Sequence, residues 1–322
     1  MQKILSFCGG PWKHKAIFLF TLVELYDLVV RFLLTPMSLH RRTMERRPRD
    51  GANAPLQVFY GRIEAMKLSI ERGILLKALA QAQSVVERRN TIPILANVLI
   101  EAEDGSVQLR ATDLDIEVVD KAVAMVMRSG ASTVSAVMLH EIVRKLPDGA
   151  LVTLEDEGVT GRLTVEAGRS NFSLATLPKE DFPIMASSDY AANFSIKASV
   201  LRRLFDKSKF AISTEETRYY LNGVYMHIAA IDGGNALRCV ATDGHRLARI
   251  DAEVPAGAGE MPGVIVPRKT VGELRKLLED DDMSIAVSVS ETKVRFATPD
   301  ITLTSKVIDG TFPDYTRVIP QN

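Results

Sequence analysis

Apolar and polar residues alternate over 66–70 and then recur at helical spacing, at Ile74, Leu75, Ala78, Leu79, Ala82, Val85 and Val86. The pattern predicts a short strand running into a helix over 71–86. Two apolar runs, 98–102 and 107–111, flank Glu103-Asp104-Gly105 and read as a hairpin. The stretch 115–127 alternates in part and is rich in β-formers. A short amphipathic helix is expected over 138–146, closed by Pro147-Asp148-Gly149. Strands at 151–155, 163–167 and 171–177 follow, separated by turns that contain glycine.

The same order then returns. Leu68-Ser69-Ile70 and Ile94-Leu95-Ala96-Asn97-Val98 recur as Phe194-Ser195-Ile196 and Tyr220-Leu221-Asn222-Gly223-Val224, at an offset of 126. Ala111-Thr112-Asp113 recurs as Ala241-Thr242-Asp243, and Asp181-Phe182-Pro183 as Thr311-Phe312-Pro313. The segment 134–146 matches 266–278, and helices are expected over 200–210 and 270–278. Small loop insertions explain the drift of the offset to 130–132. A period this long marks a duplicated domain, since solenoid repeats run to about 20–50 residues. Each unit should be α+β, with two helices on one face of antiparallel strands. The expected divisions are an extension at 1–65, domains at 66–188 and 189–317, and the start of a further domain at 318–322. Residues 184–193 serve as linker.

Length and composition agree: 322 residues suit two domains of roughly 125 residues plus an extra segment. Two cysteines, Cys8 and Cys239, far apart in sequence, suggest no disulfide framework and a reducing cytoplasm. The extension has an apolar stretch at 16–37, interrupted by Glu24, Asp27 and Arg31, before the basic run that ends at Arg49. Each such charge costs about 2.5–3.5 kcal/mol at a bilayer centre, which argues against a span. The spacing 24, 27, 31 permits an amphipathic interfacial helix. The alternative is an upstream extension that the repeats, beginning at Met66, do not use.

The net charge of zero hides a contrast. The extension carries ten Lys/Arg against five Asp/Glu. The four helical stretches with their flanks (70–89, 138–146, 196–211, 266–278) hold 15 basic and 5 acidic residues. The rest of the repeats holds 15 basic and 30 acidic. A basic helical face on an acidic body points to a polyanion tracked through its backbone.

Catalytic chemistry is missing from the pattern. His140, His227 and His245 show no metal-ligand spacing, and His227 lies in an alternating strand as a packed or surface residue. Gly233-Gly234 reads as a turn, and Glu279-Asp280-Asp281-Asp282 as a solvated loop after a helix. The expectation is a protein without catalytic residues, metal or cofactor.

The sharpest local signals are 218–223 (Arg-Tyr-Tyr-Leu-Asn-Gly), 241–248 (Ala-Thr-Asp-Gly-His-Arg-Leu-Ala) and 312–320 (Phe-Pro-Asp-Tyr-Thr-Arg-Val-Ile-Pro). With 91–95 and 266–269, they closely resemble the bacterial DNA polymerase III beta subunit family, the sliding clamps, over all of 66–322. The resemblance implies a head-to-tail ring dimer of three-domain subunits, with basic helices lining a hole around duplex DNA. It also implies a pocket for short peptides of the polymerase III catalytic subunit, the clamp loader and other proteins bearing a clamp-binding motif. Carried over by motif, the pocket residues are Leu221, Thr242, Gly244, His245, Arg246, Leu247, Pro313, Arg317 and Val318. For duplex and primed DNA they are Arg89, Arg202, Arg218, Tyr219, Tyr220 and Lys269. Leu221 and Val318 could instead be core residues, and one of the two tyrosines could pack inside. The family's third domain follows Pro320, whereas this chain stops at Asn322. The resemblance therefore implies that the chain as given does not close the ring, and homodimerisation is doubtful. Two functions follow: a processivity factor that tethers polymerase to DNA, or an interaction module that binds clamp partners without encircling DNA.

Overall fold

The computed structural model describes residues 65–87, 91–186, 188–278 and 280–319. The apolar stretch 16–37, the basic run after it and Arg89 lie outside them. The first repeat runs β1 (Met66–Glu71), α1 (Arg72–Val85), β2 (Asn97–Glu103), β3 (Ser106–Thr112), β4 (Ile116–Val123), β5 (Met125–Arg128) and β6 (Gly130–Ser135). It continues through α2 (Ala136–Lys145), β7 (Leu151–Asp156), β8 (Arg162–Ala167) and β9 (Ser170–Leu177). The second runs β10 (Ala192–Lys197), α3 (Ala198–Asp206), β11 (Gly223–Ile231), β12 (Gly234–Thr242), β13 (Leu247–Glu253) and β14 (Val264–Pro267). It ends with α4 (Arg268–Leu277), β15 (Ser284–Val289), β16 (Lys293–Ala297) and β17 (Ile301–Lys306). The order is the same twice, except that β5 has no counterpart in the second repeat.

Local chemistry accounts for the boundaries. The Glu71 carboxylate accepts from Ile74 N at 3.0 Å and caps α1, and Ser135 Oγ accepts from Met138 N to cap α2. Asp104 and Gly105 both adopt positive φ, 44° and 76°, the pairing that a two-residue hairpin turn between β2 and β3 requires. Leu75, Ala78, Leu79, Ala82 and Val85 form the buried stripe of α1. Each large side chain among them stabilises by about 1.5–3 kcal/mol. Ile74, counted in the expected apolar stripe, is instead 43% exposed, because it falls at the flank of that face. The helix expected over 200–210 stops at Asp206, and a 3₁₀ turn over Lys209–Ala211 carries the chain onward.

The strands pair antiparallel in two sheets. One has thirteen strands in the order β10-β15-β16-β17-β4-β3-β2-β6-β9-β8-β7-β1-β5, and the other is β13-β12-β11-β14. The larger sheet passes through the junction of the repeats, where β17 pairs with β4 from Ile301 opposite Asp120 to Ser305 opposite Ile116. Lys121 N to Asp300 O and Lys306 N to Asp115 O, each 2.8 Å, extend the seam. α1 packs on β3 and β4 and against α2, while α3 touches α4. Ser84 Oγ donates to Glu273 at 2.5 Å, and Lys269 Nζ to Val85 O at 3.0 Å, so α1 and α4 also meet. The helices thus form one row, α2-α1-α4-α3. Among the described residues no helix is long and apolar enough to cross a membrane.

Asp120 is buried in the seam, and burial pushes its carboxyl up to about 6; nearby Lys77 opposes the shift and Asp300 adds to it. A carboxyl with a raised folded pKa contributes stability below its unfolded value that is lost as pH rises through the folded one. Stability should therefore fall between about pH 4 and pH 6. Asp120→Asn should flatten that slope and gain roughly 2 kcal/mol at pH 7. Denaturant titrations of both proteins across this range check it.

Candidate functional site

Two surfaces collect the residues singled out in the sequence. The first is a surface on the second repeat, built around the turn between β12 and β13. Thr242 Oγ1 donates to Arg246 O at 2.8 Å and accepts from Gly244 N at 3.1 Å. Asp243 Oδ1 accepts from the backbone of His245 and Arg246 at 2.9 and 3.0 Å, and Oδ2 from Arg246 Nε at 3.0 Å. Those two backbone donors, followed by the Arg246 side chain, hold the Asp243 carboxyl at about 2. Gly244 has φ +90°, a conformation that favours glycine, and a Cβ there would lie 2.7 Å from Arg218 Nη1, so a larger residue would have to push that guanidinium aside. Arg218 is fixed in turn by Glu215, at 2.9 Å through Nε and 2.5 Å through Nη2.

Behind the turn lies a small apolar cluster separate from the main core: Leu221, Val240, Ile265, Phe312 and Tyr315, with Tyr220 and Leu247 packed against it. Phe312 stacks on Tyr225 at 5.0 Å between ring centroids, and Tyr225 on His227 at 4.4 Å. Tyr315 Oη bonds His227 Nε2 at 3.0 Å and accepts from Arg238 Nη1 at 3.3 Å. Arg238 grips Asp251 through two bonds of 2.7 and 2.8 Å. Burial lowers the pKa of His227, which keeps it the neutral member of this stack. Asp314 caps the 3₁₀ turn Tyr315–Val318 through Thr316 N at 3.1 Å. Phe312 and Tyr315 thus anchor a segment whose other side chains face outward. Pro313 and Arg317 are exposed and Val318 is 68% exposed, which places Val318 outside the core, whereas Leu221 is buried. Leu247, Pro313 and Val318 offer apolar groups at this surface, and Arg218, Arg246 and Arg317 on the same segments offer charge, a combination that suits a short peptide with apolar anchors and acidic or carbonyl groups.

The second surface is the helix row. The buried stripes (Leu75, Ala78 and Leu79 in α1; Leu139 and Val143 in α2; Leu201 and Leu204 in α3; Val271 and Leu274 in α4) point the intervening positions outward. Lys77, Lys145, Lys207 and Arg268 are exposed there and make no ion pair among the described residues. Helix phase is the signal that distinguishes them, and the charge of whole windows did not resolve it.

The expected DNA residues are dispersed. Arg202 bonds Leu278 O at 3.3 Å and pairs with Asp281. Lys269 is held between Asp113 and Glu87; burial works against its charge, but those carboxylates outweigh it and raise the pKa. Both side chains are committed to intramolecular contacts. Arg218, Tyr219 and Tyr220 lie on the 3₁₀ segment Glu216–Leu221, with Tyr219 exposed and Tyr220 packed in the recess cluster. That segment adjoins the turn at Gly244 and is no part of the helix row. Arg89 lies outside the described residues. The sequence reading left Val240, Ile265 and Tyr315 out of the recess, although Tyr315 stands inside one of its motifs.

No group of three or more His, Cys, Asp or Glu among the described residues is arranged to hold a metal. His227, read as packed or surface, is packed. Gly233, with φ of 93°, forms the turn between β11 and β12 with Asp232, and Gly234, with φ of 148°, opens β12.

Comparison with known proteins places this geometry among relatives. Residues 66–186 match the family model of the DNA polymerase III beta subunit N-terminal domain, and 195–314 that of its central domain. The chain is 54% identical to the beta sliding clamp of Caulobacter vibrioides over 257 residues, which is 80% of this chain and 69% of that protein. It is 41% identical to the Escherichia coli K12 beta sliding clamp over 261 residues, 80% and 69% of the two chains. Among solved structures, a Caulobacter crescentus beta sliding clamp superposes with a TM-score of 0.79 at 54% identity, covering 80% of this chain and 69% of that one. The Bartonella birtlesii sliding clamp bound to griselimycin gives 0.77 at 51% identity, covering 80% and 68%.

Proposed function

Because the chain belongs to the DNA polymerase III beta subunit family, the beta sliding clamps, we propose that it tethers polymerase to DNA through two separate surfaces. The observation that carries this reading is the separation itself: a row of helices with outward lysines and arginines, and an apolar recess with an arginine rim on the second repeat. The helix row faces duplex and primed DNA and meets phosphates, so binding is indifferent to sequence. The recess takes short peptides of the polymerase III catalytic subunit, the clamp loader and other partners with a clamp-binding motif. Its residues are those carried over by motif, from Leu221 to Val318, joined by Val240, Ile265 and Tyr315 beneath them. The protein works without catalytic residues, metal or cofactor, in the cytoplasm. The repeats act as clamp domains 66–188 and 189–317, residues 318–322 open a further domain, and 1–65 are an extension that the clamp function does not use.

Charge reversal on the helix row tests the DNA half. Lys77→Glu combined with Arg268→Glu should weaken duplex binding by about tenfold or more at low salt and reduce the salt slope by roughly two. Peptide affinity should be unchanged. Fluorescence titrations of two unrelated duplexes over a range of salt concentrations measure both. Equal DNA affinity for the double variant and the parent would contradict the placement.

A further inference from the structure

The turn between β3 and β4 is a structural twin of the one that builds the recess. Thr112 Oγ1 donates to Ile116 O at 2.9 Å and accepts from Leu114 N at 3.0 Å. Asp113 Oδ1 accepts from Asp115 N at 2.9 Å and Ile116 N at 2.7 Å. These repeat, bond for bond, the contacts of Thr242 Oγ1 and Asp243 Oδ1. Leu114 holds φ +79°, where its counterpart Gly244 has +90°. A leucine in that conformation carries backbone strain that the glycine avoids, and strained turns persist where the surroundings fix them.

This second turn does not face open solvent alone. It borders a cleft of about 360 Å³ at the junction of the repeats, shared with the start of α4 and the end of β17. The cleft's apolar lining comes from Ile116, Pro267, Val307 and Ile308. Its volume admits one large apolar side chain with adjoining backbone. The rim differs from that of the first recess in sign: Glu87, Asp113 and Asp115 stand against Lys269 and Lys306. The first recess has Arg218, Arg246 and Arg317 beside Glu215 and Asp243.

We propose that this junction cleft is a second peptide-binding recess, for a short peptide bearing an apolar side chain beside a lysine or arginine. The inference rests on reading the first recess as a peptide site. The apolar lining receives the anchor, and Asp115 and Glu87 receive the cation. Among the described residues the Asp115 carboxylate is held by an exposed ion pair with Lys306, at 3.1 Å with side-chain exposures of 79% and 52%, so an incoming cation can replace the lysine. Glu87 is likewise exposed, 3.4 Å from Lys269. Asp113 stays committed to its turn and to Lys269. Opposite rim charges let twin turns select different peptides, because like-charge juxtaposition excludes the wrong one.

The test uses the full chain and two labelled peptides, a capped hexapeptide with Lys-Leu-Phe-Lys at its centre and a polymerase-derived clamp-binding peptide. The basic peptide should give saturable methyl shifts at Ile116 and Val307. Glu87→Lys with Asp115→Lys, whose exposed side chains make none of the turn's own bonds, should weaken it at least tenfold, and Leu247→Asp should leave it unchanged. No saturable shift at Ile116 and Val307, or undiminished affinity in the double variant, overturns the proposal. Indifference of the clamp-binding peptide to Leu247→Asp would instead remove the reading of the first recess on which the proposal rests.

Discussion

Leu247→Asp weakens binding of a polymerase-derived clamp-binding peptide by about 2 kcal/mol or more, roughly thirtyfold, and leaves duplex affinity unchanged. Leu247 opens β13 and packs, half-buried, on the cluster of Leu221, Val240, Ile265, Phe312 and Tyr315. A carboxylate there puts an ion where an apolar anchor should sit, at the edge of an apolar cluster. Leu247 is only partly buried, so the substitution does not open a core cavity. The helix row proposed for DNA lies on other elements, which is why the two affinities should separate. Titrating variant and parent with both ligands gives the answer. Equal loss of both means the second repeat has unfolded, and unchanged peptide affinity means the recess is elsewhere.

Asp251→Ala should cost about 3 kcal/mol of stability, lowering the melting temperature by roughly 10 °C. The Arg238 side chain is 7% exposed, and both its short bonds to a carboxylate go to Asp251. Removing that carboxylate leaves a buried guanidinium with the Tyr315 hydroxyl, and Tyr315 in turn orients His227 and the segment that carries Arg317. Arg238 holds the Asp251 carboxyl below its ordinary range, although burial opposes it. The sign follows: a depressed folded pKa contributes stability that is present above the unfolded value and lost as pH falls through the folded one. The parent should lose this contribution on acidification below about pH 4, and the variant has none to lose. Replacing Arg238 and Asp251 together by Met and Leu should recover most of the difference. Thermal melts of the three proteins at neutral and acid pH measure it.

Much of this fold is legible in the sequence because it is written twice. Ala111-Thr112-Asp113 and Ala241-Thr242-Asp243 begin turns with the same bonds, and a side-chain oxygen that satisfies its own backbone is a local device. Helix phase was equally local, and it failed only at the flank, at Ile74. What pattern could not give was long-range. The pairing of β17 with β4 joins residues some 180 positions apart, and nothing in either strand names its partner. The same holds for Lys269, whose charge reads as part of a basic face until Asp113, 156 residues away, claims it. β5 was merged with β4 because a single residue, Ala124, divides them. Arg218, Tyr219 and Tyr220 show the limit most clearly: their chemistry suits nucleic acid, but their place beside Gly244 follows from a kink at Arg218.

That location makes simultaneous occupancy the most direct test, since a tether must hold peptide and DNA at once. A labelled clamp-binding peptide is bound to saturation, and duplex DNA is then titrated at low salt while peptide anisotropy and DNA binding are followed together. Two separate surfaces predict that the peptide stays bound and that DNA affinity matches that of the peptide-free chain. Displacement of the peptide by DNA would contradict the account, and would place DNA at Arg218, Tyr219 and Tyr220 in the recess itself.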